Sequence, residues 1–174
     1  MIELLRSRRS IRQYLDQAIE PEKVELLKEA ILRSPSSRNI DPWEFILVDD
    51  RDTLARLAVC KPHGARFLEH APLGIVVCAD SDASDVWIED CSIASILVQM
   101  AAQSMGLGSC WVQIRNRRYN DRASSEQYVQ DVLGVPAPIK VESIIAIGYP
   151  AEEKLPRSKE SLKPSKVHTN VFES

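Results

Sequence analysis

The chain has 174 residues, 44% apolar and 27% charged, with a formal net charge of −3. That length suits a single domain, residues 1–174, with a sizeable core. The weak negative charge gives no general attraction to nucleic acid or to an anionic membrane. No run of ~18 apolar residues occurs, which excludes a helical membrane span. Met1-Ile2-Glu3-Leu4-Leu5-Arg6 is too short and too charged for a signal-peptide core, so the cytoplasm is the expected location.

In chain order, Ile2 to Ser7 reads as a short helix. A clearer one runs from Pro21 to Arg33: Pro21 suits the first turn, Glu20 and Glu22 complement the dipole, and Val24, Leu27 and Ile31 make a 3.6-residue stripe. Ser34-Pro35 stops it, because the residue before proline disfavours the helical region. Trp43 to Val48 is predicted as a strand, Asp52 to Val59 as a helix, and Leu73 to Ala79 as a buried strand. Asp85 to Met105 is the longest predicted helix, ended by Gly106. It is apolar on more than one face and so belongs at the centre or in a subunit interface. Ser109 to Ile114 is a predicted strand, Ser124 to Leu133 a helix, and Val141 to Ile147 a strand ended by Gly148-Tyr149-Pro150. From Ala151 onward, interspersed Lys, Arg and Pro cannot build a core, so 151–174 reads as an extended tail, mobile or laid on another surface. Strands alternating with helices indicate one sheet flanked by helices.

Cys60, Cys78, Cys91 and Cys110 form no CxxC pair, so they read as buried small apolar groups rather than metal ligands. His63, His70 and His168 are scattered, and none pairs with a Cys or Ser nucleophile. No catalytic side chain and no metal site is assigned.

Arg8-Arg9-Ser10-Ile11-Arg12 packs three guanidinium groups and a hydroxyl into five residues. Such a segment is either a solvated basic loop or a seat for an anion. A phosphate there would offset the mutual repulsion with charge-assisted hydrogen bonds worth ~1.5–3 kcal/mol each. Pro35-Ser36-Ser37-Arg38-Asn39-Ile40-Asp41-Pro42-Trp43 is a polar loop running into a strand; its hydroxyls and amide suit either turn formation or approach to a heteroaromatic ring. Gly106-Leu107-Gly108 allows close backbone approach or a tight helix end.

Taken together, RRSIR near residue 10, PSSRNIDPWEF, the long helix running into GLGSCW, the strand IIAIGYP and the ending KVHTN resemble, in order, the nitroreductase family of FMN-dependent oxidoreductases. The resemblance implies an α+β fold: a three-layer αβα sandwich around a mixed, mostly antiparallel sheet, with a C-terminal tail crossing to the partner of a homodimer. It implies FMN as cofactor, NADH or NADPH as electron donor, and a small-molecule acceptor such as a nitroaromatic or quinone, by ping-pong kinetics. Arg8, Arg9, Ser10 and Arg12 match the phosphate and ribityl segment. Pro35, Ser36, Ser37 and Asn39 match a segment reaching the flavin from the other subunit. Trp111, Val112, Gln113 and Ile114 match the strand along the ring, and Arg157 and Lys159 fall where a tail cation meets the phosphate.

Some positions depart from the family pattern. Asp41 stands where many relatives carry Gln, and is expected either to face the flavin or to pair with Arg38 or cap the turn before Pro42. Ile114 stands where many have Gly. Residues 64–69 lack the Asn and Lys that larger relatives place on the flavin, and no long lid insertion is present. Asp41 and Ile114 keep open a flavin-binding or regulatory protein without efficient turnover. Reductive dehalogenation would need a dedicated lid. Nucleic acid is not an expected partner of the arginines at 115, 117, 118 and 122, given Asp121 and the net acidity.

Overall fold

A computed structural model gives the structure of the protein and describes residues 1–172. Four strands, β1 (Trp43–Val48), β2 (Leu73–Asp80), β3 (Gly108–Gln113) and β4 (Ile139–Gly148), form one sheet in the order β1-β2-β4-β3. All three pairings are antiparallel. The parallel contribution is one bridge, Ser10 to Ser109, which lays the N-terminal arm beside β3.

The central strand β2 is buried along Leu73–Ala79, and its alternation sorts two cores. Leu73, Ile75, Val77 and Ala79 face α2 (Pro21–Leu32) and α4 (Trp87–Ser104), with Leu27, Ile31, Val98 and Ala102 packed on them. Val76 and Cys78 face the other layer, α3 (Arg51–Leu57) and α5 (Ser125–Leu133), with Leu54, Leu57 and Val129. This is the expected three-layer sandwich, its period-2 pattern hydrophobic on both faces because helices cover both. α1 (Ile2–Ser7) leans on α4.

Helix ends differ from expectation by a residue or two, for visible reasons. Asp50 caps α3 by accepting the Thr53 N–H at 2.8 Å, so the helix starts at Arg51. Ser124 caps α5 through the Gln127 N–H at 3.0 Å. α4 begins at Trp87, not Asp85, because Ser84 Oγ takes the Val86 N–H at 3.3 Å and Asp85 is drawn to Arg38 at 2.5 Å. The tail from Ala151 is mostly exposed and carries two short 3-10 turns, Lys159–Ser161 and Pro164–Lys166. No helix among the described residues is long and apolar enough to cross a membrane.

Candidate functional site

The arm that carries the three arginines is pinned to the sheet edge at several points. Ile11 N–H donates to the Ser109 carbonyl at 3.0 Å, and the buried Tyr14 hydroxyl donates to the Ile11 carbonyl at 2.7 Å. Burial raises the Tyr14 phenol well above its ordinary value, so it stays a neutral donor. Gly108 makes the approach possible: a Cβ there would stand 2.8 Å from Ile11 Cβ and Cγ1. The backbone therefore needs glycine at this position for contact, not for its dihedral.

The three guanidiniums have different company. Among the described residues, no ion pair involves Arg8, Arg9 or Arg12. Arg8 is half-buried with no side-chain hydrogen bond, Arg9 donates to the Leu155 carbonyl, and Arg12 lies 5.8 Å from the centre of the Phe67 ring. The Arg12 backbone N–H donates to Glu152 Oε1 at 2.6 Å, which holds that carboxylate below its usual range. A fourth cation joins them: Lys154 Nζ donates to the Ser10 carbonyl at 2.8 Å and sits 2.9 Å from Glu152. Arg157 instead closes on its own tail, donating to the Ser161 hydroxyl and carbonyl at 3.2 Å each. Lys159 is exposed in the adjoining turn. Within one chain, then, Lys154 is the tail cation that meets the arm. Among the described residues no hydrogen bond joins Arg157 or Lys159 to the arm.

β3 carries the other half of the candidate site. Val112 and Ile114 are buried in the α3/α5 core, so Ile114 serves packing there, while Trp111 and Gln113 are half-buried on the α4 side. Trp111 Nε1–H donates to Gln113 Oε1 at 3.0 Å, and Gln113 Nε2–H to the Arg115 carbonyl at 2.9 Å. Lys61 Nζ donates to the Gln113 main-chain carbonyl at 3.1 Å, and burial lowers its affinity for the proton. Lys61 lies just upstream of residues 64–69, which hold no Lys. Cys110 beside the arm has its thiol raised by burial. Cys60 is pushed up to about 11 and Cys78 to about 12 by the same cause, and all four cysteines are free and buried. No cluster of three or more metal-binding side chains exists among the described residues.

The loop at 35–41 is stiff and far from the arm. Ser37 N–H donates to Asp90 Oδ1 at 2.8 Å. Ser36 Oγ donates to Asp41 Oδ1 at 2.5 Å and accepts the Asp41 N–H at 2.9 Å. Asp41 therefore caps its own turn, as one expectation held. Arg38 is not its partner, being committed to Asp85. Arg38, Asn39 and Asp41 all have positive φ, near 55°. This loop feeds β1 at one sheet edge, whereas the arm lies beyond β3 at the other and beside the opposite strand end. Three strand spacings of ~4.8 Å and about six residues of strand rise put them more than ~20 Å apart. A single chain does not bring Ser36, Ser37 and Asn39 to the arginines.

The fold is an α+β sandwich with a cationic arm pinned along one sheet edge. The chain belongs to the nitroreductase family, whose model matches residues 5–59 and 55–149. It is 47% identical to a solved structure titled FMN-dependent nitroreductase from Clostridium difficile R20291, with a TM-score of 0.97, covering 99% of this chain and 100% of that one. A protein of Archaeoglobus fulgidus, provisionally named an NADH dehydrogenase/NAD(P)H nitroreductase, is 34% identical over 96% of this chain and 95% of its own length. The FMN reductase [NAD(P)H] of Bacillus subtilis is 28% identical over 90% of this chain and 69% of its own.

Proposed function

We propose that the protein is an FMN-dependent oxidoreductase that takes hydride from NADH or NADPH and reduces a nitroaromatic, quinone or similar small oxidised acceptor, with ping-pong kinetics, as a cytoplasmic homodimer. The observation that carries this reading is the arm: three arginines and Lys154, without carboxylate partners for the arginines, pinned along the strand start that leads to Gln113. Guanidiniums without a carboxylate partner beside a rigid edge suit a phosphomonoester.

Arg8, Arg9, Ser10 and Arg12 would hold the phosphate end, and the backbone of Trp111, Val112, Gln113 and Ile114 would lie along the ring. Bound there, FMN would supply the redox chemistry between the nicotinamide and the acceptor. Lys61 is positioned beside the Gln113 carbonyl, where its ammonium would offset negative charge on a reduced ring. The Asp41 carboxylate accepts the Ser36 hydroxyl and so shares its charge within its own turn.

The dimer follows from what one chain leaves undone. α4 exposes Ile93 and Ile96, α1 exposes Ile2 and Leu5, and the tail exposes Leu155, Leu162 and Val167. A two-fold partner would cover these and bring its own Pro35, Ser36, Ser37 and Asn39 to the arm, with Arg157 and Lys159 of a crossing tail. The test is initial-rate kinetics with donor and acceptor both varied, beside light scattering of the FMN-loaded protein. Parallel double-reciprocal lines and twice the chain mass are expected. Intersecting lines, or a monomer that keeps its flavin, would contradict the reading.

A further inference from the structure

The segment after β3 holds a second concentration of positive charge that the FMN site does not use. Residues 115–122 contain four arginines against one aspartate. Arg117, Arg118 and Arg122 are exposed, and no ion pair involves any of them or Asp121 among the described residues.

This loop is built, not slack. Arg115 N–H donates to the Glu142 carbonyl at 2.9 Å, and the Arg115 guanidinium lies 6.0 Å from the Trp87 ring centre. Ser125 N–H donates to the Arg117 carbonyl at 2.9 Å, and Arg118 bridges Ser124. Asn120 Oδ1 accepts two backbone N–H groups at 2.8 and 2.9 Å, while Tyr119 stacks on Tyr128 with centroids 4.2 Å apart. Exposed like charges on an ordered turn repel one another weakly in water, and a bound anion would relieve that repulsion.

Its position says which anion. The arginine arm meets β3 at Ser109, and the loop leaves β3 beyond Gln113, four residues or ~13 Å along the strand. The two cationic groups therefore sit at opposite ends of the strand, and the loop is out of reach of a phosphate seated at the arm. Lys61 donates to the carbonyl of Gln113, the last residue of β3, and the loop departs from that residue, so the loop lies at the strand end that the proposed function gives to the flavin ring. A net charge of −3 and a loop this short argue against a long polyanion.

We propose that Arg117 and Arg118 form a subsite for the phosphates of the nicotinamide nucleotide, setting affinity for the electron donor separately from affinity for FMN; this rests on the function proposed above. The phosphate recognised is either the pyrophosphate bridge, common to NADH and NADPH, or the 2′-phosphate of NADPH alone.

The experiment uses FMN-loaded protein, so that the arm is already filled, and compares wild type with Arg117→Gln/Arg118→Gln. Binding of NAD+, NADP+ and inorganic pyrophosphate is titrated calorimetrically at two salt concentrations, and FMN affinity and thermal midpoint are measured on the same samples. The double variant should bind NADP+ about tenfold or more weakly, lose most of the salt dependence, and keep FMN affinity and midpoint. Parallel loss for NAD+ and pyrophosphate assigns the pyrophosphate bridge; loss for NADP+ alone assigns the 2′-phosphate. Arg117→Lys/Arg118→Lys should recover part of the affinity, since charge is kept and the planar fork is lost. Unchanged nucleotide binding in a variant that retains FMN would overturn the subsite, as would a loss that merely follows a fallen thermal midpoint. A wild-type protein that takes up no FMN would refute the proposed function and the subsite together.

Discussion

Replacing Gly108 with alanine tests how the arm is positioned. The new Cβ would stand 2.8 Å from Ile11 Cβ and Cγ1 and 3.0 Å from Cγ2. Carbon–carbon contacts settle at ~3.5–4.0 Å, so the arm must retreat by about 1 Å. Ile11 Cβ is fixed to the backbone, and no flexible side-chain end can absorb the shift. Overpacking of this kind costs ~1–3 kcal/mol. The retreat also weakens the Ile11–Ser109 or Tyr14–Ile11 hydrogen bond, worth ~0.5–1.5 kcal/mol. The combined loss is about 2–4 kcal/mol, or roughly 4–16 °C in thermal midpoint for a chain of this size. Because Arg8 and Arg12 move with the arm, FMN should bind ~10–150-fold more weakly. Gly106→Ala is the control. Its φ of +77° makes alanine strained at ~1–2 kcal/mol, but nothing lies within 4 Å of the new methyl. It should lower the midpoint while leaving FMN affinity intact. Thermal denaturation of the apoprotein and FMN fluorescence titration of both variants decide the matter. Wild-type midpoint and wild-type FMN affinity in Gly108→Ala would refute the placement of the arm.

Arg8→Ala and Arg12→Ala should each weaken FMN binding ~10–150-fold without unfolding the chain, read by the same titration; equal affinity would make them ordinary surface charges. Asp41→Asn should leave the flavin potential unchanged and cost less than ~1 kcal/mol of stability, because its carboxylate is occupied by Ser36; a clear rise in potential by spectroelectrochemistry would place the charge at the ring. Glu142 is buried and takes the Ser92 hydroxyl at 2.5 Å on one oxygen. Burial raises its pKa above 4.5, so between that value and the higher folded one the native state holds more protons than the unfolded chain. Stability should therefore fall as pH rises through that window. Glu142→Gln should flatten the fall in thermal midpoint measured from pH 4.5 upward, and an unaltered slope would show that other groups cause it.

Most of the fold was legible because β1, β2 and β4 are short apolar runs bounded by Pro, Asp and Gly, and α2 carries a clean 3.6-residue stripe. Both signals are local. The starts of α3, α4 and α5 moved by one or two residues because Asp50, Ser84 and Ser124 spend their side chains on caps and turns, which periodicity does not register. The arm and β3 were visible as motifs. Lys61 and Lys154 were not, since their value lies in contacts 52 and 144 residues away along the chain. Arg38 looked like the partner of Asp41 three residues on, but its positive φ sets it on Asp85 instead. Loop conformations of that kind depend on tertiary contacts.

The central claim is that this edge holds FMN for reduction by a nicotinamide nucleotide. Anaerobic stopped-flow mixing of the FMN-loaded protein with NADPH, and separately with NADH, tests it most directly, followed at the flavin's visible absorbance band. Bleaching by at least one donor, saturating with its concentration and restored by a nitroaromatic or quinone, is the predicted result. A flavin that neither donor bleaches would contradict the account.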